Sequence, residues 1–393
     1  MLDINQIRKD TPHCQNKLFF NSAGASLVPS VVTERMKTYL DEEAELGGYK
    51  LGLGSRIQTE LQVFYTETAK MLNCNPRNIA FSINATDAYG QVLSAIPFEK
   101  GDVIITTDDD YTSNHAQFSV LYQRFRVATV RVRNHGNGDI DLTHMEELIK
   151  EHHPKLVSLS HIPTNSGKIQ DAQAVGDLCA KNNIMYIIDA CQSAGQMPLD
   201  VQKLKCDFLC SSGRKFLRGP RATGFLYVSD KALDANLIPI RVDGRGMEWI
   251  AASKFKPVDS ALRFETWEQN VACVLGLKEA ILYANNIGLE NIWNYNQDIL
   301  SHLRNQLYEV PGMNILDQGS KLANILTFQI NDKDKQLTIK TLEHNDVYFS
   351  VAFRGSALID FDKKGTDWAI RLAPHYFNTH EEIDQLVDII HSI

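Results

Sequence analysis

The sequence lacks the features that mark membrane, secreted and nucleic-acid-binding proteins. No segment approaches the about 18 consecutive apolar residues that cross a bilayer as a helix, and the first residues, Met1 to Asn5, contain no apolar signal-peptide region. There is no long basic run, and 40 Lys and Arg residues against 48 Asp and Glu residues give a net charge of −8. Nucleic acid and anionic membranes are therefore not expected partners.

Paired Cys-x-x-Cys spacing is also missing. The seven cysteines lie at positions 14, 74, 179, 191, 206, 210 and 273. Because the number is odd and several of these positions adjoin apolar strand-like segments, we interpret them as core thiols and expect no metal site. The sequence thus predicts a reduced, cytoplasmic chain.

What is present is an alternation of short β-rich runs and segments with helical apolar spacing. The predicted strands are residues 79–83, 103–106, 127–132, 156–160, 184–189, 208–211 and 224–228, and the predicted helices between them are residues 86–96, 142–151 and 172–182. This pattern predicts an α/β fold with a mostly parallel seven-stranded sheet and helices on both faces. Ligands of such sheets bind at the carboxyl ends of the strands.

The two ends of the chain do not show the alternation of strands and helices that the central part shows. Residues 30–46 and 56–72 are predicted helices, separated by glycines at 47–48 and within 52–54. Beyond residue 228, the predicted elements are helices at 270–285, 289–310 and 381–393 and a strand at 326–330. At 393 residues the chain exceeds one ordinary core. We predict a large domain over residues 1–266 and a smaller α+β domain over residues 267–393.

Lys215 and Asp189 are the two residues that most strongly indicate a chemical function. Asp189 ends an apolar strand, and Lys215 follows the next strand. A buried carboxylate is costly unless it is paired. A pyridoxal 5'-phosphate (PLP) enzyme needs both groups, because the lysine amine forms a Schiff base with the aldehyde and the carboxylate keeps the ring nitrogen protonated. A buried helix-capping Asp is the alternative for Asp189 alone.

Five further residues are candidate phosphate contacts. Ala85, Thr86 and Asp87 follow a predicted strand and begin a helix, whose backbone amides suit a phosphate. Ser212 and Arg214 add a hydroxyl and a guanidinium beside Lys215. A simple Thr cap and a basic surface loop are the alternatives.

Candidate ring contacts follow three strands. Tyr111 offers an aromatic face for stacking, although residues 110–115 also fit a polar surface loop. Thr164, Asn165 and Gln192 could donate to the phenolic oxygen of the ring. Residues 163–167 fit a simple turn equally well, because Pro, Asn, Ser and Gly are frequent in turns.

These segments together resemble the class V aminotransferase and cysteine desulfurase family of fold-type I PLP enzymes, from residues 20–24 to residues 375–384. Residues 43–49 and 213–221 are most similar to the subgroup of hercynylcysteine sulfoxide lyase and isopenicillin N epimerase-like proteins. The resemblance implies a homodimer with active sites at the subunit interface.

The same resemblance implies roles for individual residues. The Schiff base is expected at Lys215, the pyridinium pairing at Asp189, and binding of the substrate α-carboxylate at Arg371. The other implied contacts are the ring oxygen for Gln192, the phosphate for Thr86, Ser212 and Arg214, stacking for Tyr111, and the substrate for Asn21 and Ser22.

Three departures from the family pattern limit what carries over. Residues 347–361 contain no cysteine, whereas desulfurases carry a sulfur-accepting cysteine in a loop before the carboxylate arginine. Residues 263–270 replace a Gly-Thr-Pro-Asn ending that implies a phosphate contact from a neighbouring subunit. Asn is common where this chain has Thr164, with Asn165 beside it, so either side chain is a candidate for the ring oxygen.

The function predicted from these residues is a PLP-dependent enzyme that acts on an amino acid through an external aldimine and an α-carbanion. A carbon–sulfur lyase with a cysteine-derived substrate is preferred. An aminotransferase or amino-acid epimerase is the first alternative, and a cysteine desulfurase is disfavoured because of the missing cysteine. A non-catalytic PLP-binding module and a cofactor-free structural protein rank below these.

Overall fold

The computed structural model describes residues 2–52 and 56–393. Met1 and positions 53 and 54 of the predicted glycine separator lie outside the described residues. The described strands are β1 Leu18–Phe19, β2 Ile79–Ser82, β3 Val103–Thr107, β4 Ala128–Val132, β5 Leu156–Ser160, β6 Met185–Asp189, β7 Phe208–Ser212, β8 Gly224–Val228, β9 Met247–Ala251, β10 Lys254–Pro257, β11 Met313–Ile315, β12 Leu326–Ile330, β13 Val347–Tyr348, β14 Ser350–Phe353 and β15 Trp368–Leu372.

The helices are described in the same chain order. They are α1 Ile4–Asp10, α2 Ser30–Leu46, α3 Gly48–Gly52, α4 Arg56–Leu72, α5 Ala85–Ala95, α6 Thr112–Phe125, α7 Leu142–His152, α8 Ala172–Lys181, α9 Val201–Leu204, α10 Asp230–Asp234, α11 Val271–Ile287, α12 Leu289–Tyr308, α13 Lys335–His344, α14 Leu358–Lys364 and α15 His380–His391. No helix among residues 2–52 and 56–393 is long and apolar enough to cross a membrane.

The large sheet has the strand order β2-β8-β7-β6-β5-β3-β4. Strands β7, β6, β5, β3 and β4 are parallel to one another, and β8 runs antiparallel to β7 and β2. Every residue of β2, β5, β7 and β8 is buried, as expected for strands covered by helices on both faces. The predicted α/β fold with a mostly parallel seven-stranded sheet is confirmed, with element ends displaced by about one or two residues.

Helix α6 and the β9–β10 hairpin are among the elements that were not predicted. Helix α6 begins at Thr112, so the interpretation of residues 110–115 as a polar surface loop is wrong. The first turn of α6 is polar, and its buried positions, Asn114, Phe118 and Leu121, are too few to give a clear helical pattern. The β9–β10 hairpin is also new, and its Trp249 and Phe255 rings stack at 5.8 Å on an exposed face.

The smaller sheet has the order β11-β12-β15-β14 and is antiparallel throughout. Helices α12, α13 and α15 pack together beside it, and α15 begins with a capping box between Thr379 and Glu382. Near the N-terminus, β1 pairs with β13, so the start of the chain joins the C-terminal part.

Helix α11 begins five residues after residue 266, the predicted end of the large domain, and packs on α2 and α4. Its Val274, Leu277 and Ile281 belong to the same apolar cluster as the core of the large sheet. The division at residue 266 remains a prediction.

Candidate active site

Three strand ends and one helix start meet at a cavity of about 420 Å³. Asp189 and Ser212 are the last residues of β6 and β7, and Ser160 is the last residue of β5. Helix α5 points its N-terminus at the same place. The structure brings nine predicted cofactor residues to the cavity wall, which are Ala85, Thr86, Tyr111, Thr164, Asp189, Gln192, Ser212, Arg214 and Lys215.

Lys215 lies in the turn after β7, and its side chain is buried. The turn is fixed by the N–H of Arg218, which donates to the Lys215 carbonyl at 2.9 Å. His375 adds a contact of 2.7 Å between Nε2 and the Phe216 carbonyl oxygen. Lys215 Nζ lies 5.9 Å from the centroid of the Tyr111 ring. Burial lowers the pKa of Lys215, and the opposing field of the Asp189 carboxylate does not restore it.

Asp189 is a buried carboxylate for which no salt bridge is found among residues 2–52 and 56–393. Its Oδ1 accepts from the Cys191 N–H at 2.9 Å, and its Oδ2 accepts from Asn114 Nδ2 at 3.4 Å. Because an unpaired buried carboxylate is unfavourable, a cationic N–H group within the cavity would complete this site.

Gln192 and Thr164 form one hydrogen-bonded wall of the cavity. Gln192 Nε2 donates to the Thr164 hydroxyl at 3.0 Å and to the Ala23 carbonyl at 3.2 Å. The Gln192 Oε1 atom is buried, and no hydrogen-bond partner for it is found in the described part of the chain. Of the two adjacent ring-oxygen candidates, Thr164 lines the cavity, whereas Asn165 donates to Asp360 of α14.

Asp87 is likewise absent from the cavity wall. Its carboxylate accepts from the Ser82 hydroxyl at 3.1 Å and pairs with Arg241 at 3.0 Å. The Asp87 N–H donates to Asn84 Oδ1, the cap of α5, at 2.8 Å. Helical geometry explains this placement, because α5 turns the third residue away from the cavity that its first two residues face.

The predicted substrate residues lie beside the cavity. Arg371 is on β15, and its Nη1 donates to the carbonyl and hydroxyl oxygens of Thr164. Burial lowers its pKa to about 10, an effect that Tyr111 opposes and Arg214 reinforces. Its Nε is buried, and no partner for it is found among the described residues. Asn21 and Ser22 adjoin the same strand end through Ala373, whose carbonyl accepts from the Ser22 N–H at 3.1 Å.

Five cavity residues were not predicted as site residues, namely Asn84, Asn114, Ser160, Ile162 and Cys191. Asn84 and Ser160 were detectable, because each follows or ends a strand at the edge where ligands bind. Asn114 was not detectable, because the helix that contains it, α6, was not predicted. Burial raises the pKa of Cys191 to about 12, with Asp189 as the next contribution.

The donor set fits PLP. The cavity presents a buried amine with a lowered pKa at Lys215, a carboxylate at Asp189 with no salt bridge to the described residues, and the N-terminus of α5 beside Arg214. The buried oxygen of Gln192 and the buried Nε of Arg371 are further polar atoms without partners among residues 2–52 and 56–393. These are the groups that an aldehyde, a protonated pyridine, a phosphate and an amino-acid substrate require.

Comparison with known families gives the class of this protein. The family model "Aminotransferase class-V" matches residues 18–386. The chain therefore belongs to the class V aminotransferase family, which is PLP-dependent, and PLP is its cofactor. It is an enzyme of the lyase or transferase type found in that family.

Two relatives of this chain are named as probable cysteine desulfurases. A probable cysteine desulfurase of Methanothermobacter thermautotrophicus is 27% identical over 395 residues, covering 98% of this chain and 97% of the relative. A probable cysteine desulfurase of Borreliella burgdorferi is 28% identical over 414 residues, covering 98% and 94%. The predicted family is confirmed, whereas the predicted subgroup remains a prediction.

Solved structures share the fold. The apo structure of a cysteine desulfurase from Thermococcus onnurineus NA1 has a TM-score of 0.90 at 24% identity, covering 100% of this chain and 98% of that one. The cystine C-S lyase C-DES, solved with cysteine persulfide, has a TM-score of 0.86 at 22% identity, covering 98% and 99%.

Proposed function

We propose that this protein is a PLP-dependent carbon–sulfur lyase that acts on a cysteine-derived amino acid. The observation that carries the proposal is a combination within one site. Lys215 would supply a base and Arg371 would bind the substrate carboxylate, while Cys191, the one cysteine that lines the cavity in the described part of the chain, is buried and has a pKa raised to about 12. A thiol held in its neutral form is a poor nucleophile, so it does not suit sulfur transfer to the protein.

The cofactor would be held by residues from four parts of the large domain. Lys215 would carry it covalently, and Asp189 would pair with its ring nitrogen. The start of α5, with Ser212 and Arg214, would bind its phosphate, Tyr111 would cover the ring, and Gln192 with Thr164 would contact the ring oxygen. When bound, PLP supplies an electron-withdrawing ring that stabilises the charge left by removal of the substrate α-proton.

Lys215 Nζ, released from the cofactor when the substrate amine takes its place, would be the group that moves the proton. Burial keeps its pKa below the usual lysine value, so a larger fraction of the amine is neutral and able to accept the α-proton. The nearby Arg214 and Arg371 cations lower the pKa further. Proton loss at the α-carbon then permits departure of a sulfur leaving group from the β-carbon.

Arg371 orients the substrate. Its guanidinium is fixed on the Thr164 side through Nη1, while its buried Nε has no partner among the described residues. A planar guanidinium binds a carboxylate through two parallel hydrogen bonds. Binding of the α-carboxylate by Arg371 would hold the α-carbon within reach of Lys215.

A second candidate is cysteine desulfurase, favoured by the names of the relatives at 27% and 28% identity. It requires a thiol that accepts sulfur. Residues 347–361 contain none, and the last cysteine of the chain is Cys273 on α11.

The product formed from each substrate class tests the proposal. Purified enzyme loaded with PLP is given cysteine, cystine and cysteine S-conjugates, with Lys215→Ala as the matched control. Pyruvate and ammonia in equal amounts support the lyase. Alanine as the amino-acid product would instead indicate a desulfurase, and amino transfer to an added keto acid would indicate an aminotransferase.

A further inference from the structure

A buried carboxylate adjacent in sequence to the cavity residue Tyr111 accepts hydrogen bonds from five neutral donors. Asp110 lies between β3 and α6 and is 5% exposed. Its carboxylate accepts hydrogen bonds from the Thr106 hydroxyl at 2.6 Å, the Ser158 hydroxyl at 2.6 Å, the Ser160 hydroxyl at 2.7 Å, the Tyr111 N–H at 2.8 Å and Asn114 Nδ2 at 2.9 Å. Five donors fix both oxygens, so Asp110 is a rigid anchor for its neighbours.

Asn114 connects this anchor to the cavity. Its Nδ2 is shared between Asp110 Oδ1 at 2.9 Å and Asp189 Oδ2 at 3.4 Å. Asn114 is 2% exposed and lines the cavity wall. A neutral amide thus lies between two buried carboxylates, where a carboxylate would be repelled and an apolar side chain would leave both without this donor.

The two hydrogen bonds of this amide differ in strength. The bond to Asp110 is short and comes from the same polypeptide turn, four residues away. The bond to Asp189 is long and crosses from α6 to the end of β6. The Asp110 bond therefore fixes the orientation of the amide, and the amide in turn restricts the rotation of the Asp189 carboxylate.

We propose that Asn114 is a positioning residue for the cofactor: its amide, oriented by Asp110, holds the Asp189 carboxylate in the rotamer that pairs with the ring nitrogen. The inference rests on the role of Asp189 in the proposed function. Asn114 is assigned no contact with the substrate. A positioning role also differs from a purely structural one, in which Asn114 would only fill a buried polar space.

The test measures binding of two cofactors to the apoprotein. One is PLP, and the other is an analogue in which carbon replaces the ring nitrogen, so that Asp189 has nothing to pair with. In the unmodified protein PLP binds more tightly than the analogue. In Asn114→Ala this preference falls by about tenfold, because a hydrogen bond to a charged group is lost, while binding of the analogue changes little.

Two further variants complete the experiment. Asn114→Leu keeps the length of the side chain without its N–H donors, and the same loss is expected if the alanine variant does not fold. Asn78→Ala is the matched control, because Asn78 is also buried and its Nδ2 also serves two acceptors, Val228 O at 2.9 Å and Asp230 Oδ1 at 2.7 Å. It lies away from the cavity and retains the full preference.

Each outcome decides the matter. An unchanged preference in both Asn114 variants, or equal weakening of PLP and the analogue, overturns the positioning role and leaves the proposed function intact. An unmodified protein that binds both cofactors equally contradicts the assignment of Asp189, and the role of Asn114 falls with it. Loss of preference in the Asn114 variants alone supports the inference.

Discussion

Arg371 and Thr164 are joined by two hydrogen bonds, from Arg371 Nη1 to the carbonyl oxygen of Thr164 at 3.0 Å and to its hydroxyl at 2.9 Å. The contact links β15 of the smaller sheet to the loop that follows β5 of the large sheet. The same Thr164 hydroxyl accepts from Gln192. Arg371, the predicted substrate residue, and Gln192 on the cavity wall therefore contact the same side chain.

Replacement of Arg371 is expected to act on substrate binding. Arg371→Ala should raise KM for amino acids by about a hundredfold, because a bidentate charged hydrogen bond to the α-carboxylate is lost. The dissociation constant of PLP should change far less. Steady-state kinetics and PLP titration measure the two effects.

Arg354→Ala is the control for that variant, since Arg354 is an exposed arginine paired with Asp362. It should leave KM unchanged. An unaltered KM in Arg371→Ala would remove Arg371 from the substrate site.

Lys215 is expected to carry the cofactor alone. Lys215→Ala should eliminate the visible absorbance of lysine-bound PLP and the adduct trapped by borohydride reduction, while circular dichroism shows an intact fold. Lys203→Ala, at an exposed lysine, should keep both signals. A reducible adduct on another lysine in the Lys215 variant would refute the assignment.

His161 should make stability depend on pH. Burial lowers its pKa from 6.5 to about 4, so between these values the unfolded chain binds a proton that the folded chain does not. The free energy of unfolding should therefore fall by about 3 kcal/mol as the pH decreases from 6.5 to 4, and above pH 6.5 this loss is absent. Denaturant unfolding across this range measures it.

His161→Gln should reduce that loss, whereas His344→Gln, at an exposed position, should not. Buried His375, whose pKa burial also lowers, contributes a remaining part in every variant. An identical pH profile for His161→Gln and the unmodified protein would contradict the prediction.

Glu265 should stabilise the segment that departs from the family pattern. Its side chain accepts from the Phe81 N–H at 2.7 Å and from the Tyr65 hydroxyl at 3.0 Å, and it pairs with Arg245 at 2.7 Å. Glu265→Ala should lower the free energy of unfolding by about 3 kcal/mol, because it leaves these buried donors unpaired. The exposed Glu268→Ala should change it by less than about 0.5 kcal/mol, as measured by denaturant unfolding.

Much of the sheet could be predicted because its strands are almost wholly apolar. A strand covered on both faces needs no alternation, so β5 and β7 are recognisable as short apolar runs between helical segments. Helix α6 was missed because few of its positions are buried and its first turn is polar. The β9–β10 hairpin carries exposed apolar residues, which give no burial pattern.

The sequence by itself determined which residues could meet at the site: a lysine and an acid after consecutive strands of a parallel sheet lie at one edge, since parallel strands all end on the same side. Only the tertiary structure decided which neighbouring side chains face inward. It turned Thr164 to the cavity and Asn165 to Asp360, pointed Asp87 at Arg241, and brought Asn114 between Asp110 and Asp189. Adjacent residues in a loop or helix point in different directions, and contacts between segments far apart in the chain fix those directions.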